Sequence, residues 1–367
     1  MELYLKNKGG DNKLVSYKEW KRIINNIKRN VKGITKITEE EAAERLKELI
    51  IESVRKRTNE INDLENEDKT DIYVLFSGGI DSTIIALALK SLNVKFKCIS
   101  VGTKKSKDLI MAEKIAREYN FNIEKKVLSS EEILENLEAV MRILKTSNKM
   151  KLGVGTVLYS ALKFITIGND QNKENKGKKK GKEKENKEEK TGKTRIVMTG
   201  LGTEDIFAGY NKHLIAMMNK EDINELCWHG LITTYERDLT RDIPIIKSFK
   251  EFNVVGATPF LDEKIIRFGM GLKPELKIRK IKYKDESGVI KEGFIKKYIL
   301  RISAVKLGLK KEFAMRPKRA AQYGSGIEKE IIKLAKKEGF KKEIEWLRNK
   351  LQFILKSEQG NKSNNGH

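Results

Sequence analysis

Apolar residues recur along this chain at two different spacings, and the switches between them predict its elements. Ile72, Tyr73, Val74, Leu75 and Phe76 form an unbroken apolar run, of the length and composition of a strand buried on both faces. Ile84, Ile85, Leu87, Ala88 and Leu89 follow as a buried helix that closes near Asn93. The alternation continues with a strand at 95–101, a helix at 107–119, a strand at 123–128 and helices at 131–145 and 154–168. Ile196, Val197 and Met198 begin a further strand that runs into Thr199 and Gly200. Strands separated by helices in this way predict an α/β fold, a doubly wound parallel sheet. Ligands of such sheets bind beyond the carboxyl ends of the strands. The segments after Phe76 and after Met198 are therefore candidates for one shared crevice.

The flanks read differently. Tyr17, Trp20, Ile23, Ile24, Ile27 and Val31 mark one face of a helix over 17–31. Thr38 and Glu41 form a capping box, with Ile37 as a hydrophobic staple, and predict a second helix running to Arg57. Residues 58–70 are polar and read as a loop. Beyond residue 205 the pattern is mostly helical, best at 205–240, 262–272, 295–307 and 327–356, while 281–293 reads as a hairpin or mobile loop turning at Ser287-Gly288. The expected organisation is an N-terminal helical segment over 1–70, a nucleotide-binding unit over 71–330 with a charged insertion at 170–194, and a C-terminal helix with a frayed tail over 331–367.

Composition adjusts this picture in three ways. The 367 residues carry a formal net charge of +24, and 35% of them are charged. Part of the excess is local: residues 171–193 hold ten lysines against five glutamates and no apolar side chain, so they cannot bury surface and read as a disordered surface insertion. The remaining basic balance suits an anionic substrate, RNA or a solvated face. The two cysteines, Cys98 and Cys227, are isolated, and the three histidines show no zinc spacing, which excludes a disulfide framework and a zinc-ribbon chemistry. With no signal peptide and no apolar run near 18 residues, a cytoplasmic protein without membrane segments is expected.

The candidate chemistry begins at residues 74–83, VLFSGGIDST. Gly78 and Gly79 allow a tight turn and bring backbone N–H groups close to a ligand. The following helix points its N-terminus at the same spot, where an anion is favoured. Asp81 would repel a phosphate by itself and makes sense as a holder of Mg²⁺ shared with the phosphates. A plain strand–turn–helix connection explains Gly-Gly alone, but the full Ser-Gly-Gly-Ile-Asp-Ser string resembles the pyrophosphate loop of N-type ATP pyrophosphatases. It is not a Walker loop. The nearest lookalike, Gly192-Lys193-Thr194, has Lys187 where the first glycine belongs.

A second cluster, TGLGTEDIFAGY at 199–210, ends a strand in Gly-x-Gly and opens a helix with Glu204 and Asp205. Acids at a helix start are favoured by its dipole in any case; it is the pairing with the upstream loop that gives them weight. Together with TPFLD at 258–262, KYILR at 297–301 and RPKRAAQYGSG at 316–326, these segments resemble, from about residue 38 to about 328, the synthetase domain of asparagine synthetases and the related β-lactam synthetases. The last two segments look most like the asparagine synthetase domain-containing branch.

The resemblance implies an ATP-dependent ligase that activates a carboxylate, aspartate or similar, as an acyl-adenylate, releases pyrophosphate, and passes the acyl group to ammonia or an amine. It implies that Ser77, Gly78, Gly79 and Ser82 hold pyrophosphate and that Asp81 binds Mg²⁺. It places Leu75, Val101, Thr199 and Gly200 beside the adenosine. It puts Lys297 where charge develops, and Arg316 and Lys318 where basic residues meet phosphates. The metal-binding acid of the second cluster falls on Glu204, with Asp205 as a spare.

Several positions depart from the family pattern, among them Glu204, one methylene longer than the aspartate of that pattern. Leu201 replaces the first acid of G-E-G-x-D-E, and Ala257 stands where an arginine often precedes the PFLD motif. Glu2 follows Met1 where a glutaminase nucleophile would be cysteine, so ammonia would have to come free, from another amine, or from a separate glutaminase subunit. A homo-oligomer is expected. Two other readings stay open: a catalytically degenerate nucleotide-binding scaffold, and a tRNA-modifying ATP pyrophosphatase, the latter disfavoured by the missing C-x-x-C.

Overall fold

The computed structural model describes residues 5–8, 11–62, 70–167, 193–284, 290–316 and 321–364. Its centre is a five-stranded sheet of β3 (Thr70–Leu75), β4 (Lys97–Gly102), β5 (Ile123–Val127), β6 (Thr194–Met198) and β7 (Val254–Ala257), in the order β5-β4-β3-β6-β7. Every pairing is parallel, with Val74 opposite Cys98 on one side and opposite Met198 on the other. Two antiparallel hairpins lie outside this sheet: β1 (Leu5–Lys8) with β2 (Asp11–Leu14), and β8 (Ile278–Lys284) with β9 (Ile290–Lys296).

The unbroken apolar run of β3 has a simple cause. Side chains alternate between faces along a strand, and both faces are covered. Ile72 and Val74 join a core with helices α2 (Glu39–Asn62), α3 (Ile80–Ser91) and α4 (Lys107–Tyr119), whereas Tyr73 joins a second core with α5 (Ser130–Leu144) and α6 (Lys149–Thr166). The sheet is thus the doubly wound α/β arrangement expected from the pattern. The chain leaves β3 toward β4 and β5, then returns to the other side of β3 for β6 and β7. The carboxyl ends of β3 and β6 therefore lie side by side where the winding reverses, the usual place for a ligand crevice.

Several expectations are revised. The N-terminal part is not wholly helical, since β1 and β2 precede α1 (Tyr17–Arg29). The capping box is present: the Glu41 N–H donates to Thr38 Oγ1 at 3.2 Å and the Thr38 N–H to Glu41 Oε2 at 2.9 Å, and the helix runs five residues past Arg57. The helix after the glycine loop begins at Ile80, which draws Asp81 into its first turn. The expected helix at 205–240 is broken into Thr203–Ile206, Asn211–Met218 and Ile223–Thr234, followed by a π-helical turn at Tyr235–Leu239. The one at 327–356 is interrupted at Gly339, whose φ of 84° ends the segment Ile327–Lys337 before Glu343–Asn364 begins. The short strand β7 had no visible signal, because four residues including a glycine carry no period. The charged insertion lies outside the described residues except for Lys193 and Thr194, as do the hairpin turn at Ser287-Gly288 and the last three residues of the tail. Among the described residues no helix is long and apolar enough to cross a membrane.

Candidate active site

The loop after β3 is shaped by contact. Gly78 adopts φ +63°, and a Cβ there would lie 2.8 Å from the backbone of Met111 and Ala112 at the adjoining helix α4. Any other residue would be strained and would collide with main chain. Gly79 caps α3 in extended geometry without a side-chain cap. Its own N–H donates to Ser77 Oγ at 3.3 Å, and the Ser82 and Thr83 hydroxyls donate back to its carbonyl at 3.2 and 2.8 Å. A twelve-residue helix thus presents its amino end at the crevice with no side chain of its cap residue bonded over it.

The loop after β6 closes on the first. A Cβ on Gly200 would stand 2.5 Å from the Cβ of Asp81, so glycine is required for the two loops to touch. Gly202 takes φ +98° and starts the turn Thr203–Ile206, which directs Glu204 inward. Leu75 and Val101 lie on the strands at this end, on the face of the second core. Thr199 is half-buried, and its Oγ1 is enclosed with no hydrogen-bond partner among the described residues. An orphaned hydroxyl at the rim fits a group supplied by a ligand.

Lys297 draws these parts together. It sits at the junction of β9 with the helix Tyr298–Lys306, in left-handed backbone conformation with φ +55°, uncommon for a residue with a side chain. Its Nζ donates to both Asp81 oxygens at 2.9 Å and to Thr203 Oγ1 at 3.0 Å, and it lies 2.7 Å from Glu204 Oε1. Burial acts to lower the Lys297 pKa, but the neighbouring Asp81 and Glu204 charges outweigh it and hold the ammonium above its ordinary value. Gly209 packs against this pair; a Cβ there would overlap the Glu204 carboxylate and stand 2.5 Å from Lys297 Cε.

The two carboxylates that meet at Lys297 form a hard-oxygen donor pair. Mg²⁺ is commonly held by one or two carboxylates plus substrate phosphates. Asp81 and Glu204 fit that need, although no group of three or more His, Cys, Asp or Glu side chains gathers among the described residues. Asp205 is placed elsewhere. It is buried, accepts from Thr234 Oγ1 at 2.9 Å and pairs with Arg237 at 2.6 Å. Desolvation pushes its pKa up, opposed by Arg237.

Arg316 reaches the first loop, its guanidinium donating to the Gly78 carbonyl at 3.2 Å, while Lys318 lies outside the described residues. Sequence reasoning passed over Thr203 and Gly209, both inside the 199–210 motif, whose spacing relative to Glu204 was the available signal.

A family model described as asparagine synthase matches residues 45–163 and 217–342, well over half of the chain. The chain belongs to the asparagine synthase family. This is a family of ATP-dependent amide-forming ligases. The chain is 30% identical over 323 residues to "Putative asparagine synthetase (glutamine-hydrolyzing) 1" of Methanocaldococcus jannaschii, covering 83% of this chain and 53% of that protein. It is 26% identical over 261 residues to the asparagine synthetase (glutamine-hydrolyzing) of Gallus gallus, covering 69% of this chain and 39% of that one. It is 32% identical over 142 residues to asparagine synthetase domain-containing protein 1 of Homo sapiens, covering 37% and 19%. The chain spans about half the length of these relatives or less.

Proposed function

We propose that this chain uses ATP to activate a carboxylate as an acyl-adenylate and joins it to ammonia or an amine. The observation that carries the reading is the buried Lys297 ammonium between Asp81 and Glu204, beside the amino end of α3 at the sheet's switch point. In this reading the β- and γ-phosphates occupy the Ser77–Gly78–Gly79–Ser82 loop, and the adenosine lies by Leu75, Val101, Thr199 and Gly200. Asp81 and Glu204 would hold Mg²⁺, which when bound neutralises charge on the phosphate oxygens. A carboxylate oxygen of the substrate attacks the α-phosphorus. The bond from that phosphorus to its bridging oxygen breaks, and pyrophosphate leaves with the electron pair. Lys297 and the α3 amino end stabilise the charge that grows there. The amine nitrogen then attacks the acyl carbon, the bond from that carbon to the phosphate oxygen breaks, AMP leaves with the electron pair, and the nitrogen releases one proton to solvent.

Aspartate is the first substrate to test. A second reading, a nucleotide-binding scaffold, draws on Leu201, which packs against the main core, and on Ala257, buried at the end of β7. Neither supplies a charged group where the family often has one. Pyrophosphate release from ATP and Mg²⁺ would be measured with aspartate, with and without ammonium, in wild type and Asp81→Ala. Release that needs aspartate and disappears in the variant supports the ligase. Nucleotide binding without release for any carboxylate tried would leave the scaffold.

A further inference from the structure

Arg301 lies one helical turn beyond Lys297 and is buried. All three of its hydrogen bonds among the described residues go to backbone carbonyls. Nε donates to Lys296 at 2.8 Å, and the terminal nitrogen Nη1 donates to Ala314 at 2.5 Å and to Arg316 at 2.9 Å. These carbonyls belong to two separate segments. Lys296 immediately precedes the left-handed turn that aims Lys297 at Asp81. Residues 314–316 end a short helical turn and carry the arginine that reaches Gly78 in the glycine loop. One rigid fork therefore ties the lysine-bearing turn to the arginine-bearing segment.

We propose that Arg301 is a positioning residue that holds Lys297 and Arg316 together as one cationic clamp on the pyrophosphate end of the nucleotide. This rests on the ligase reading above. Two further observations agree. The strained Lys297 backbone persists only where its surroundings over-determine it, and the bond to Lys296 is the constraint immediately before it. A buried guanidinium with the like charges of Arg316 and Lys296 close by is also poorly placed for stability alone; burial pulls its pKa down to about 10, against the opposing pull of Asp81 and Glu204. Such clustering of positive charge is offset when a polyphosphate binds. A lysine at 301 would keep the charge but lose the planar fork that bonds two segments at once.

The test uses magnesium pyrophosphate and magnesium ATP as probes, titrated calorimetrically into wild type, Arg301→Lys, Arg301→Gln, Arg316→Ala and the Arg301→Lys/Arg316→Ala double variant. Arg301→Lys is expected to bind pyrophosphate about tenfold more weakly, the scale of one lost charge-assisted hydrogen bond. Arg301→Gln should be weaker still. In the Arg316→Ala background the Arg301→Lys loss should shrink to about twofold, because the two act through one contact. Circular dichroism should stay as in wild type. Equal affinity of Arg301→Lys and wild type, strictly additive losses, or failure of both Arg301 variants to fold would each overturn the proposal. Wild type that binds neither probe would remove the ligase reading and this inference together, so the two failures are distinct.

Discussion

Two ionic clusters meet in this protein at consecutive residues, and they behave as opposites. Glu204 belongs to the first, with Lys297 and Asp81, and its side chain keeps 39% of its exposure. Asp205 belongs to the second, with Arg237, Asp238, Arg241 and Asp242, and its side chain is 1% exposed. In the first, a single flexible ammonium holds two carboxylates that can be rearranged around a ligand. In the second, planar guanidinium groups lock three acids at and around the π-helical turn Tyr235–Leu239, which itself carries Arg237 and Asp238, and Arg237 stacks 5.1 Å over the Tyr210 ring. A lysine is a movable point charge, whereas arginine forks fix geometry. The difference separates a site from a support, although a single turn of helix carries both.

The largest effect should come from the first cluster. Lys297→Met removes the ammonium at the centre of the site, and we expect pyrophosphate release to fall about a hundredfold to a thousandfold, as when one preorganised electrostatic partner is lost. Steady-state assays at saturating ATP check it; a rate within threefold of wild type would break the comparison on the catalytic side.

The second cluster should respond in stability. Arg237→Met leaves Asp205 buried without its main counter-charge and should cost about 3 kcal/mol, read from urea unfolding, with the rate per folded molecule near wild type. A large rate loss at unchanged stability would mean that the support takes part in the chemistry.

His213 offers a smaller and pH-dependent test on the supporting side. It is fully buried, and its Nδ1 accepts from the Tyr210 N–H at 3.3 Å. Burial, with Lys212 and Lys277 nearby, lowers its pKa from 6.5 to about 4. The unfolded chain then binds the proton more readily than the folded one. Its contribution is therefore complete above pH 6.5 and lost as pH falls toward 4, up to about 2–3 kcal/mol. His213→Gln should lack this part of the acid sensitivity, so the stability gap between wild type and variant should narrow between pH 6.5 and 4. A gap independent of pH would show that His213 does not stay neutral in the fold.

Gly209→Ala sharpens the comparison most finely. The added methyl would displace the Glu204 carboxylate, a flexible side-chain end, and crowd Lys297 Cε, so its three nearest atoms all belong to the first cluster. About a tenfold loss of rate with little change in melting temperature is expected, on the scale of one disturbed charged hydrogen bond. A stability loss at unchanged rate would place Gly209 with the support instead.

Much of this was legible from residues alone. The apolar run at 72–76 announced a strand covered on both faces because a period of two disappears when both faces are buried. The glycines at 78 and 79 announced close approach, which the contact of Gly78 with α4 explains, and Gly200 proved to be needed where its loop touches Asp81. The pairing of Glu204 with the first loop was also readable, since both sit just past strands. Other features carried no local signal. Composition over 203–206 does not separate the two acids; only the family motif's register put the metal-binding acid on Glu204 and left Asp205 as a spare. The broken helices hide behind the continuous helical composition read at 205–240, and Arg301 closed the KYILR segment without being given a role of its own.

What the sequence by itself determined was the alternation of strands and helices, the glycine positions and the chemical types at the site, because these depend on neighbours within a turn or two. The tertiary structure alone decided that Asp205 is locked against Arg237, that the Lys297 ammonium bridges Glu204 and Asp81, 216 residues away in the chain, and that one buried arginine spans two segments. Those choices depend on where the sheet reverses its winding and on which loops are pressed together there. They are set by packing between elements that are remote in the chain, and no local pattern records them.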